Sequence, residues 1–272
     1  MQKRFPPFAH FEGGVTVEKW QLLLKTQWAG RPEAICEETL PSTNTCLKEA
    51  AKGGAPAGTV CLAKTQTAGK GRLGRSWFSP PGRGLWASVL ARPQMPMERW
   101  PHLTLAAALA MAKAVENQGL KPAIKWPNDL VLEGKKICGV LLEMGPDFVV
   151  IGTGLNLRPG SYPEELRGKA GSLEELSGRS MDENVILADY LYELEKALAA
   201  LEKEGLQGIR RAYEKRSCTL GREVVVSGGM DARGRAEALD ESGALILKLA
   251  NGDTCRVLAG DVSVRGVMGY AE

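Results

Sequence analysis

The sequence predicts an α+β fold in which an α/β body is followed by a small all-β unit. Up to about residue 216, strands rich in β-formers and bounded by Gly and Pro alternate with long helical signals. After Cys218 the texture changes to short strands separated by Gly, Asn and Asp turns, the pattern of a small β-barrel or sandwich. The chain has 272 residues and is 44% apolar, enough for one large domain or for a medium domain plus a small one.

Taken in order, residues 16–30, "TVEKWQLLLKTQWAG", read as a helix stopped at Gly30. "GTVCLAKT" (58–65) and "GLWASVLA" (84–91) read as strands. Pro101 opens the Ala-rich helix "PHLTLAAALAMAKAVENQG", which Gly119 ends. After "PAIKW", the run "DLVLEGKKICGVLLEM" reads as two strands around an E-G-K turn, and "FVVIGTGLNL" as a third. A polar, Gly/Pro-rich segment covers 158–180. An amphipathic helix follows over 183–203, with Val185, Leu187, Leu191, Leu194, Leu198 and Leu201 at helical spacing, and the helical signal resumes to about 216. In the last unit "REVVVSG", "GRAEALD", "GALILKL" and "DTCRVLAG" read as strands, and no internal repeat is visible.

Composition narrows the function classes. A net charge of +3 is too weak to argue for nucleic acid. The six cysteines (Cys36, Cys46, Cys61, Cys138, Cys218, Cys255) contain no C-x-x-C pair, which argues against a zinc ribbon or a disulfide scaffold and for reduced thiols in a cytoplasm. The opening "MQKRFPPFAHF" lacks a signal-peptide core, and "LTLAAALAMAKAV" is too short to span a bilayer. Only His10 and His102 are available to a histidine-dependent hydrolase, and both lie away from the motif-rich centre.

The stretch "AGKGRLGRSWFSPPGRG" (68–84) contains G-x-G-x-x-G at Gly69, Gly71 and Gly74. A dinucleotide fold needs a helix after that motif and an acidic residue about twenty positions on. Here Pro80 and Pro81 block the helix and the acid is missing. A kinase reading fails for want of H-R-D and D-F-G, and no Walker loop occurs. What remains is a glycine loop presenting Lys70, Arg72 and Arg75, suited to an anion and equally compatible with a solvated basic loop.

"KWPNDLVLEGKKICGVLLEM" (125–144) adds a proline turn ahead of Asn128 and Asp129, residues able to ligate a metal or a sugar hydroxyl. It also places Lys136 at the start of a strand and Gly139 within it, where a ligand can lie against the backbone. "IGTGLNL" (151–157) supplies Gly152, Gly154 and Asn156. Glycine-floored strands beside several cations and one carboxylate suit an adenylate.

Together, "STN" (42–44), "TQTAGKGRLGRSWFSPPGRGLWASVL", "KWPNDL", "KKICGVLLE", "IGTGLNL" and the late "GDVSVR" resemble biotin protein ligases, in order from about residue 38 to 265. The resemblance implies a catalytic domain like that of class II aminoacyl-tRNA synthetases, with a mixed sheet, over 38–217. It implies an SH3-like β-barrel over 218–272, with 1–37 an N-terminal extension too short for the winged helix of DNA-binding relatives. It further implies biotinyl-5′-AMP formation from biotin and ATP with Mg²⁺, then transfer to a lysine of a biotin carboxyl carrier domain. DNA and membrane binding are not expected; a homodimer is compatible.

By motif position, Ser42, Thr43 and Gln66 would bind the biotin ureido head, with Asn44, Gly69 and Lys70 also on the biotin side and Gly139 and Gly152 as the floor. Arg72 and Lys136 would be catalytic: Arg72 closing the loop over the carboxylate and phosphate, Lys136 touching the reacting carboxyl and α-phosphate. Arg72, Arg75, Trp77, Asp129, Asn156 and Arg265 would face ATP, and Asp129 is the candidate Mg²⁺ ligand, direct or indirect. One departure is Lys70, where the family loop commonly has arginine; lysine keeps the charge and loses the bidentate fork. Lipoate–protein ligase is the nearest rival, but its substrate ring has no ureido group. A biotin-sensing repressor and a binding protein without catalysis are the readings from other classes.

Overall fold

The computed structural model describes residues 17–32, 34–227, 231–258 and 260–264. A short helix α1 (Val17–Leu22) precedes strand β1 (Ile35–Leu40) and helix α2 (Thr43–Lys52). Then come β2 (Val60–Gln66), β3 (Gly84–Ala91), α3 (His102–Asn117), β4 (Ala123–Lys125), β5 (Asp129–Leu132), β6 (Lys135–Met144) and β7 (Val149–Asn156). Helices α4 (Leu173–Ser177), α5 (Glu183–Glu204) and α6 (Gln207–Glu214) follow. The last unit holds β8 (Glu223–Ser227), β9 (Ala232–Leu239), β10 (Leu245–Leu249), β11 (Thr254–Val257) and β12 (Asp261–Val264).

The α+β expectation holds. Seven strands in the order β1-β2-β3-β7-β6-β5-β4 form a mixed sheet, parallel only between β1 and β2. One face buries Leu85, Ala87, Val89, Ile137, Cys138, Val140, Ile151 and Leu155 together with α3 and α5 in the main core. Buried Tyr190 of α5 shares a 2.8 Å hydrogen bond with Thr153 of β7 on this side. The other face packs α2, through Leu47, Ala50 and Ala51, on Cys61, Leu90 and Val150. The E-G-K turn is a tight hairpin in which Glu133 and Gly134 both have positive φ, 48° and 73°.

The last unit is a five-stranded antiparallel sheet, ordered β11-β10-β9-β8-β12. Its fifth strand lies in the "GDVSV" stretch, which the hydrophobic pattern did not single out as a strand. It is tied to the body where Trp126 donates through its indole to the Gly243 carbonyl at 3.0 Å and through its backbone to the Thr219 hydroxyl at 2.9 Å.

One expectation is corrected, and two elements lie where the sequence reading set none. Helix α1 ends at Leu22 rather than Gly30, because the Glu195 carboxylate of α5 captures the backbone N–H groups of Gln27, Trp28 and Ala29 at 2.7–3.0 Å and holds a turn there. Strand β1 runs from Ile35 to Leu40, across position 37, and Trp20 is buried in the main core. Helix α2, absent from the sequence reading, begins at Thr43. His102 is buried at the start of α3, while His10 and Arg265 lie outside the described residues.

Removing a charged acceptor that serves three backbone donors strands two of them part-buried. Glu195→Ala should therefore lower stability by about 1–3 kcal/mol. Urea unfolding should show a lower midpoint at unchanged slope.

Candidate active site

The site is built on the α2 face of the sheet, and strand register decides who reaches it. Gly154 of β7 pairs with Gly139 of β6 and Trp86 of β3, while Gly152 pairs with Leu141 and Ser88. Directly paired residues share a face, so Gly139, Gly152, Gly154 and Ser88 point one way. Asp129 pairs with Gly139 and joins them. Lys136, three positions before Gly139, would project from the opposite face of a regular strand. It does not, because the β5–β6 register shifts: Leu130 faces Cys138 while the next residue, Val131, faces Lys136, leaving Ile137 as an extra residue. The bulge turns Lys136 toward Asp129, whose Oδ1 lies 2.7 Å from its Nζ. Buried Lys125 approaches the other oxygen of Asp129 at 3.7 Å.

The glycine loop is a small hairpin. Gly71 donates to Arg75, Trp77 donates to Gly69, and Lys70 bridges Ser76. It is a turn and not a helix entrance, as its prolines required. The Arg72 guanidinium donates to Asn128 Oδ1 at 2.8 Å and to the Gly260 carbonyl at 3.3 Å, so one side chain joins the loop, the W-P-N-D turn and the small sheet. Asn128 is fixed in turn, its amide donating to Val140 O at 3.0 Å.

The indole of Trp77 lies on the glycine floor. A Cβ on Gly154 would come within 2.3 Å of its Nε1, and one on Gly139 within 2.8 Å of the ring. The Lys136 ammonium stands 5.1 Å from that ring's centroid, within cation–π range. Trp77 Nε1 is buried and has no hydrogen-bond partner among the described residues. Above Gly152 the space of a Cβ is taken by Asn44 Oδ1, 2.1 Å away. A ligand using this floor shares it with Trp77 or displaces it.

At the α2 end a polar chain forms. The Thr43 N–H donates to Gln66 Oε1 at 2.9 Å, and Gln66 Nε2 donates to Ser79 at 2.8 Å. Ser88 Oγ lies 2.7 Å from Thr43 Oγ1 and 2.6 Å from Asn44 Oδ1. Thr43 Oγ1 also lies 3.2 Å from Gln66 Oε1, so the two hydroxyl protons of Ser88 and Thr43 are shared among three contacts, two of them to amide oxygens that only accept. Beyond Asn44, Glu143 Oε1 accepts from Lys48 at 2.9 Å and faces Lys70 at 3.7 Å. Burial alone would raise the Glu143 carboxyl. Hydrogen bonds from Lys48 and Asn44 and the charges of Lys48 and Lys70 overrule it and hold the group below its ordinary range.

These residues enclose a cavity of about 320 Å³ with Ser42, Thr43, Asn44 and Gln66 at one end and Arg72, Lys136 and Asp129 at the other. That is a size in the range of small-molecule sites. Gly69 abuts the Trp77 carbonyl and Arg75 lines the cavity. The amide of Asn156 donates to the carbonyls of Gly171 and Lys136, pinning the 158–180 segment, whose Tyr162 and Lys169 line the third side. Asp129 does not fit a resident metal ligand, since both its oxygens face lysine ammonium groups. Among the described residues no group of three or more His, Cys, Asp or Glu could hold a metal. Sequence reasoning missed Ser88 and Glu143, whose places depend on strand pairing, Lys48 and Ser79, brought in by α2 and the loop before β3, and Lys125, whose charge its motif shows but whose burial it does not.

The chain is similar to known proteins. The Biotin/lipoate A/B protein ligase family profile matches residues 37–156, and the Biotin protein ligase C terminal domain profile matches 219–265. A Bacillus subtilis protein named bifunctional ligase/repressor BirA is 35% identical over 240 residues, covering 84% of this chain and 73% of that protein. A biotin–[acetyl-CoA-carboxylase] ligase of Mycobacterium tuberculosis is 38% identical over 229 residues, covering 81% of this chain and 85% of that one. The structure of an Aquifex aeolicus biotin protein ligase in complex with biotin and ATP superposes with a TM-score of 0.76 at 30% identity, over 86% of this chain and 98% of that one.

Because Gly154 has no room above it, Gly154→Ala should expel the Trp77 indole. Tryptophan emission should shift to the red in that variant and stay unmoved when the substitution is made in a Trp77→Phe background.

Proposed function

The chain belongs to the biotin protein ligase family, and we infer that its reaction is ATP-dependent biotinylation of a carrier-protein lysine through biotinyl-5′-AMP. The observation that carries the reading is the polarity of the cavity: hydrogen-bonding amides and hydroxyls at one end, a cluster of cations at the other. A substrate with a neutral polar head, a slender apolar chain and a terminal carboxylate matches that order.

In the first step a carboxylate oxygen attacks the α-phosphorus of ATP and the bond to pyrophosphate breaks. The nucleophile is already an anion at neutral pH, so the protein needs orientation and charge neutralisation and no histidine base. We assign the Lys136 ammonium, aimed by Asp129, to the reacting carboxyl and α-phosphate. Arg72 is assigned to the same charge and, through Asn128 and Gly260, to the closed loop. Thr43, Asn44 and Gln66, with Ser42, are assigned to the ureido head, supported by the amide and hydroxyl chain at that end of the cavity. The glycines Gly69, Gly139 and Gly152 and the loop residue Lys70 complete the biotin side. Arg75, Trp77, Asp129, Asn156 and Arg265 are assigned to the nucleotide side by motif position. ATP enters as its magnesium complex, the metal carried on the triphosphate. In the second step the acceptor amine attacks the mixed anhydride and AMP leaves.

On the same reading, the seven-stranded mixed sheet is the class II aminoacyl-tRNA synthetase type of body, up to residue 217, and 218–272 an SH3-like unit. The acceptor is the carrier domain of a biotin-dependent carboxylase. No helix among the described residues is long and apolar enough to cross a membrane, and a cytoplasmic site of action fits the free cysteines.

The deciding experiment follows pyrophosphate release and label transfer to a carrier domain with biotin and lipoate side by side. Turnover with biotin alone is expected; turnover with lipoate would overturn the assignment of the head group. Lys136→Ala should lower adenylate formation by about 10²–10³-fold, the scale of losing one preorganised charge donor. Arg72→Gly, which unties the loop from Asn128 and Gly260, should release reactive adenylate and label bystander lysines. Unchanged acceptor selectivity in that variant would refute the role given to the loop.

A further inference from the structure

Glu143 takes no part in the assignments above, yet its carboxylate stands between two elements that do. It projects from the same face of β6 as Gly139 and Leu141 and pairs with Val150 of the α2 core. Its Oε1 accepts from Lys48, one turn beyond Asn44 on α2, and the same oxygen faces Lys70 in the glycine hairpin. Its Oε2 is buried without a hydrogen-bond partner among the described residues. The hairpin thus has two tethers: Arg72 holds its tip to the W-P-N-D turn, and Lys70 holds its base to β6. Because Lys70 pairs with Ser76, the residue before Trp77, movement at that base carries the indole on the glycine floor.

We propose that Glu143 is a positioning residue for the glycine loop, latching the hairpin closed through Lys70 and so setting how long a bound acyl-adenylate is retained. The latch is built to be weak. The Lys70 side chain is 45% exposed and Glu143 19%, at 3.7 Å, and an ammonium presents a point charge where a guanidinium would present a fork. Such a pair shifts an opening equilibrium by about two- to fivefold. Lys48 keeps Glu143 ionised and aimed while leaving the loop free to open.

The proposal rests on the ligase reading only for the identity of the retained intermediate, so its test has a readout without substrates. Chymotrypsin cleavage of the full chain after exposed Leu73, at the hairpin tip and untouched by the variants, is timed, and release of biotinyl-5′-AMP from the preloaded enzyme is timed in parallel. Glu143→Gln and Lys70→Met are each expected to speed nicking and release by about two- to fivefold at unchanged melting temperature. The double variant should do no more than either, and Lys70→Arg should slow both. Nicking that responds in this way in a chain that makes no adenylate would keep the latch and remove the ligase reading. If Lys48→Met reproduces Glu143→Gln while Lys70→Met changes nothing, Glu143 only braces α2 and the proposal fails. It fails too if no variant alters nicking.

Discussion

One extra residue in β6 organises the site. Ile137 has no partner in β5, and its insertion reverses the side-chain alternation of the strand between Lys136 and Gly139. In an unbulged strand Lys136 would project into the core beneath α3, among Cys138, Val140 and Leu155, where an ammonium has no counter-charge and a high desolvation cost. With the bulge, Ile137 buries there instead and Lys136 meets Asp129 on the glycine face. Apolar burial of one side chain and exposure of its neighbour to the cavity are therefore the same event, so the core and the site stabilise a single register.

Two carboxylates at the cavity are each shared by two lysines. Asp129 stands between Lys136 and Lys125, and Glu143 between Lys70 and Lys48. In each pair one lysine faces the cavity or the loop and the other comes from the surrounding framework. The arrangement keeps these ammonium groups aimed before any anion arrives, which is what preorganisation requires.

The small β-unit takes part in the same geometry. Trp126, which opens the W-P-N-D motif, is held by Thr219 and Gly243, and Arg72 reaches Gly260. The turn that presents Asn128 and Asp129 is thus pressed between the body and the small sheet. The loop closes onto both.

Much of this was legible in the residues. Local chemistry decided the elements with strong periodicity or punctuation: α3 between Pro101 and Gly119, α5 with its leucine spacing, the E-G-K hairpin, and the C-terminal run of short strands. The order of motifs from Ser42 to Asn156 also named the residues that line one cavity, because glycine, proline and charge in that spacing serve backbone approach and anion binding wherever they fold. Only tertiary structure decided the rest. The end of α1 was decided by a carboxylate far along the chain, Glu195, and the start of β1 by pairing with β2. The face that Lys136 occupies was decided by a register shift that leaves no mark in composition. The neighbours of the glycines were decided by a helix and a loop folding over them, so that Asn44 and Trp77 stand where the sequence offered open floor. Propensity and pattern act over a few residues, whereas register, bulges and shared carboxylates are settled between strands and helices that meet only in the folded chain.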